Sequence, residues 1–124
     1  MSTYPNSTKE VAIAAVVALA DGGTLRLRSA ANVTLADIDL AATAFDTDDN
    51  GLATARGGDG VDPIDEDNPL TGAGAAAGNV DNFQVLNSSG GLVFAGPSSE
   101  ITLANPSVAV GQPVEVRGLT HTFA

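Results

Sequence analysis

From Thr24 onward the chain is cut into short runs of alternating apolar and polar residues, closed by turns containing glycine, asparagine or serine. A period of two places successive side chains on opposite faces of the backbone, so such runs fit short half-buried strands. In residues 24–28 (TLRLR), Leu25 and Leu27 take one face while Arg26 and Arg28 take the other. Residues 33–40 (VTLADIDL) alternate again from Val33 and Leu35, and the phase slips near Ala36, where a bulge or bend is expected. Residues 82–87 (NFQVLN) and 91–95 (GLVFA) flank Ser88-Ser89-Gly90 and read as a hairpin. Short strands follow at 101–103, 114–116 and 119–123, the last two after a turn at Gly111-Gln112-Pro113. Short strands at regular turn spacing predict a mainly β domain, an antiparallel β-sandwich or jelly-roll-like barrel.

Ahead of the strands the period changes. Residues 11–20 (VAIAAVVALA) are apolar throughout, too long for a typical strand and suited to one N-terminal α-helix over about 8–21. Ser7 or Thr8 can cap it, Glu10 falls in its first turn, and Gly22-Gly23 stops it. A secretory signal is the competing reading, but Lys9 is cancelled by Glu10, so the leading region lacks the positive charge that such signals carry. The run is also shorter than the ~20 residues that span a bilayer. Residues 1–6 form a polar arm, and residues 7–124 form a single domain. Of the 124 residues 44% are hydrophobic, yet many of these are alanine and only 4% of the chain is aromatic. Burial stabilises by roughly 25 cal/mol per Å², so an alanine-rich core is thin, and neighbouring subunits are expected to complete it.

The net charge of −10 excludes the common modes of nucleic-acid binding and disfavours an anionic membrane surface. Only Lys9, Arg26, Arg28, Arg56 and Arg117 are basic. The absence of cysteine removes disulfides, thiolate metal sites and cysteine nucleophiles.

Residues 46–51 (DTDDNG) match the start of a calcium loop, with oxygens at alternate positions. Asp46, Asp48 and Asn50 are the candidate ligands, and Asn50-Gly51 also marks a tight hairpin turn. The bidentate glutamate would fall at Gly57, which cannot ligate, leaving Asp59 or Asp62 as substitutes. Without that ligand, a polar hairpin tip is the simpler reading. Residues 56–78 are rich in Gly, Pro, Asp and Ala and read as a long acidic surface loop with little regular structure, its carboxylates solvated. His121, the only histidine, alternates with Thr120 and Thr122 and reads as a surface or interface side chain. No nucleophile elbow, phosphate loop or dinucleotide fingerprint is present, so the sequence argues against an enzyme.

The order of these elements resembles a family of small tailed-bacteriophage virion proteins. Its members open with an apolar helix and a Gly-Gly-Thr-Leu strand, here Gly22-Gly23-Thr24-Leu25. An alternating strand ending in Ala-Phe follows (Ala44-Phe45), then an Asn-Gly-x-Ala-Thr element (Asn50-Gly51-Leu52-Ala53-Thr54). A Gly/Ala region (75–78), an aromatic strand (83–86), a Ser-Gly turn (88–90) and an apolar strand ending in Gly96 come next. The close is a Val-x-x-Gly-Gln-x-Val turn (108–114) and a Thr-rich strand (119–123). The usual Tyr-Ser/Thr-Gly after the first strand is replaced by Arg28-Ser29-Ala30, and the Asp-rich insert 56–69 is unusual. The resemblance implies a virion structural role without a cofactor, as a decoration (cement) protein. Such a protein is made in the host cytoplasm, binds the major capsid protein on the capsid surface, and forms a homo-oligomer, with a trimer favoured. Tyr4 and Pro5 in the arm and Arg26 and Arg28 on the first strand are the contact candidates. A tail-associated or fibre-attachment protein and a secreted calcium-dependent adhesion module are the alternatives.

Overall fold

Leu25 and Leu27 are completely buried in the computed structural model, which describes residues 4–48 and 51–122, and the two leucines anchor its first sheet. Their strand, β1 (Thr24–Arg28), lies between β2 (Thr34–Asp39) and β7 (Asn82–Leu86), and β8 (Leu92–Pro97) adds an outer edge. Every pairing is antiparallel. The register of β1 on β2 shifts between Leu27 and Arg28, so Leu35 and Ala36 are both buried. This is the phase slip seen in the sequence, and it takes the form of a bulge.

The second sheet is built on β11 (Pro113–Thr122), which pairs with β4 (Leu52–Ala55), β5 (Leu70–Ala73) and β9 (Ile101–Leu103); β3 (Phe45–Thr47) extends it beyond β4. A small ladder joins β6 (Gly78–Asn79) to β10 (Ser107–Val108). The sheets share one apolar cluster, and the molecule is an antiparallel β-sandwich with one helix. Several of the buried core positions are alanine, including Ala36, Ala44, Ala53 and Ala55.

The helix α1 (Asn6–Ala18) packs against β3 and β4 through Ile13 and Val17, where Ala53 and Ala55 leave room for it to approach. It begins before the expected Thr8 and ends before Asp21. Its N-cap is Pro5, not Ser7 or Thr8, and makes no side-chain cap bond. Proline's fixed φ and missing N–H suit the entry to a helix, and they move the start upstream. Glu10 consequently lies beyond the first turn. No helix among the described residues is long and apolar enough to cross a membrane.

Two further expectations change. Residues 56–78 are not one irregular loop: Leu70–Ala73 forms β5, and Gly78–Asn79 forms β6. A Cβ on Gly72 would crowd the Ile38 side chain and the Asp37 carbonyl, so this glycine lets β5 press against β2. The last two strands are one ten-residue strand, β11, with a register shift between Val116 and Gly118. That shift carries Leu119 and His121 onto the inner face, because one inserted residue reverses the facing of everything after it.

Candidate functional site

Arg26 and Arg28 leave the outer face of β1, as their alternation with Leu25 and Leu27 requires. The register then gives them different fates. Arg26 stands opposite Asp37 on β2, and its Nε and Nη2 donate to that carboxylate at 2.9 and 3.2 Å. The hydrogen bond to Asp37 holds the guanidinium above the ordinary arginine value. Arg28 stands opposite Thr34 and Asn82, and its Nε donates to Asn82 Oδ1 at 2.9 Å. Among the described residues, Arg26, Arg56 and Arg117 have carboxylate partners and Arg28 has none.

Arg28 opens onto a groove of about 560 Å³, whose walls include Asn82, Phe83, Gly96, Ser98 and Ser99. Asp81 also lines it and accepts from Asn82 Nδ2 at 3.2 Å. Tyr4 and Pro5 are exposed immediately ahead of α1, on a different element from the arginines. A second groove, of about 520 Å³, lies between the end of β2 and the 57–60 turn, with Asp39 and Asp59 among its otherwise mostly small or apolar walls.

The calcium candidates are engaged within the chain. Asp46 Oδ1 accepts from Arg56 Nε at 3.1 Å and Nη2 at 2.8 Å, placing a guanidinium where a cation would sit. Asp48 Oδ1 accepts the Leu52 N–H at 3.0 Å and closes the β3–β4 turn, in which Gly51 has φ +80°. Asn50 lies outside the described residues. Among the described residues no group of three His, Cys, Asp or Glu side chains is placed to hold a metal ion.

The acidic insert is ordered by its own hydrogen bonds. Asp59 Oδ1 accepts the N–H groups of Val61 and Asp62 and the Asn68 amide, at 2.9, 3.0 and 3.0 Å. Asn68 Oδ1 accepts the Asp59 N–H in return, at 3.0 Å. The bonds from Val61 and Asp62, followed by that from Asn68, hold the Asp59 carboxyl below its ordinary value. A carboxyl lowered by folding contributes above the ordinary aspartate range, and the contribution is lost as pH falls through its folded pKa. In ¹H–¹⁵N spectra recorded from about pH 6 to about pH 2, the Val61 and Asp62 amides are expected to shift together late in the acid titration. Asp59→Asn should abolish that step; an unchanged titration in the variant would assign it to another carboxylate.

His121, expected at a surface or interface, stacks on Phe94 with centroids 4.1 Å apart and stays partly exposed. Its Nδ1 faces Glu100 Oε2 at 3.8 Å, beyond hydrogen-bond length. Neither atom has solvent access or another partner. Sequence reasoning missed the Asp59–Asn68 clasp, the Asp46–Arg56 pair and the inward His121, because each depends on strand register or on a reverse turn several residues away. No protein-family model, curated protein or solved structure matches the chain.

Proposed function

We propose that this chain is a structural protein of a bacteriophage virion, which binds the outer surface of the capsid and braces the major capsid protein lattice. The family assignment rests on the order of sequence elements from Gly22 to the C-terminal strand. The contact rests on one observation: in a chain of net charge −10, Arg28 is a cation without a carboxylate partner among the described residues, and it lines a groove of mixed polar and apolar walls.

Arg28 suits an acidic side chain of the lattice, while Asp81 on the same wall is held by Asn82. The groove's rigid β floor holds the guanidinium, with Asn82 fixing the Nε end and leaving the Nη groups for a bidentate carboxylate. Ser98 and Ser99 add hydroxyl groups to the same wall. Arg26 contributes little beside it, because Asp37 already neutralises that side chain. Such a contact adds specificity and association rate, and it weakens as salt rises.

Cosedimentation with purified expanded capsids tests both levels. The chain is expected to bind, and Arg28→Glu is expected to weaken binding by about tenfold or more, because it places a carboxylate against the lattice acid. Arg26→Gln should change binding by less than about threefold. A wild-type chain that stays in the supernatant would sink the virion reading. Binding that is indifferent to Arg28→Glu would remove the groove from the contact.

A further inference from the structure

The strand β8 is an open edge of the first sheet, and it ends at the Arg28 groove. Arg28, Asn82 and Pro97 stand in one cross-strand row, and they line the groove together with Ala95 and Gly96. Proline has no N–H, and the Ser98 N–H donates to Asp81 O at 3.0 Å, so Asn82 and Pro97 are opposed without a hydrogen bond between them. Antiparallel alternation then turns Gly96 towards β7. It turns the N–H and C=O of Ala95, and the C=O of Pro97, away from β7. Among the described residues nothing pairs with these three groups, and Ala95 and Pro97 are exposed. The opposite edge is different, because Leu35 O of β2 accepts the Ala75 N–H at 2.7 Å.

We infer that the β8 edge takes an extended segment of the capsid lattice as a fifth strand, and that a carboxylate on this segment meets Arg28. The inference rests on the reading of Arg28 as a capsid contact and adds the conformation of what binds there. Antiparallel addition gives one register. One residue of the segment exchanges both main-chain bonds with Ala95, and the residue two positions earlier donates its N–H to Pro97 O. That earlier residue joins the Arg28 row, and its side chain leaves the same face of the sheet. Three strand spacings separate it from β1, roughly 14 Å, a span that a glutamate and an arginine cover by reaching towards each other. Arg28 already leans that way, because Asn82 on the intervening strand holds its Nε. Each main-chain bond gives only a modest net gain, so three hold a strand weakly and the charge selects the occupant. Residues 92–97 of a second copy and residues 1–6 of the arm contain no acid and cannot supply the carboxylate. Asp81 also lines the groove, so a run of acids is repelled and a single carboxylate at the Arg28 row fits best.

Ala95→Pro removes the outward N–H and leaves the β7 pairing in place, and proline is tolerated where an edge strand turns its N–H to solvent. Circular dichroism and melting temperature should therefore match the wild type. In cosedimentation with purified expanded capsids, Ala95→Pro should bind at least about tenfold more weakly. Ala95→Val keeps the N–H and should bind within about threefold of the wild type. Hydrogen exchange of the wild type needs no variant: the Ala95 amide should exchange fast in the free chain and at least about tenfold more slowly on capsids. Capsids that fail to bind the wild type would overturn this inference together with the virion reading. Binding that falls with Arg28→Glu but not with Ala95→Pro would keep Arg28 as a contact and remove the added strand. An Ala95 amide that stays unprotected on capsids would remove it too. Protection of that amide in the free chain at about 1 mM would assign the edge to a second copy and overturn the inference as well.

Discussion

Replacing Gly23 with alanine is expected to cost more than about 3 kcal/mol, at the severe end of single substitutions. Gly23 is the last residue before β1 and the point where α1 is tied to the first sheet. Its N–H donates to Ala20 O at 2.9 Å, and its carbonyl accepts from Leu40 N at 2.9 Å. A Cβ there would collide with the Leu86 carbonyl and would stand 2.9 Å from Ala20 O. These are backbone atoms held by strand pairing, so relief requires β7 to move away from β1 at its Thr24–Leu86 pair. Gly22 supplies the contrast. It has φ +66°, and a Cβ on it would meet nothing within 4 Å. Gly22→Ala therefore carries only the left-handed backbone penalty of about 1–2 kcal/mol. Urea denaturation of both variants should rank Gly23→Ala well below Gly22→Ala, and the reverse order would mean that the helix–sheet junction is looser than its hydrogen bonds imply.

This pair of glycines shows what the sequence could and could not carry. A helix stop at Gly22-Gly23 was legible, because glycine punctuates helices. That the two act through different physics was not, because the Leu86 carbonyl lies far along the chain. The strands with local alternation, β1, β2, β7 and β8, were legible together with the Leu35 bulge and the 87–91 hairpin. In that hairpin Asn87 Oδ1 accepts from the Ser89 and Gly91 N–H groups, and Gly90 has φ +86°. The strand β5 was not legible. Its Leu-Thr-Gly-Ala composition reads as loop, and only contact with β2 gives Gly72 its purpose. The outward placement of Arg26 and Arg28 followed from alternation alone. The difference between them, one neutralised by Asp37 and one open to a groove, is a matter of register, and no local pattern specifies register between strands.

Phe83→Ala is expected to destabilise the chain by about 3–5 kcal/mol, a large share of the 5–15 kcal/mol that holds a domain together. The ring is the largest side chain with essentially no accessible surface. It lies beneath β8, where a Cβ on Gly96 would stand 2.9 Å from it, and edge-on to Phe94 at 6.2 Å. Phe94 in turn meets Phe45 of β3 at 5.9 Å and His121 of β11 at 4.1 Å. The aromatic groups thus run from the first sheet to the second. The rest of the buried core is mostly leucine, isoleucine and valine on paired strands. Strand pairing limits how far they can collapse into the hole, so the loss should lie within that range. Leu92→Ala, at an exposed position on β8, should change stability by less than about 0.5 kcal/mol and separates cavity formation from a general weakening of the edge strand. A loss below about 1.5 kcal/mol for Phe83→Ala would show that the sandwich is held closed elsewhere. The aromatic groups would then serve only to fix the orientation of β8.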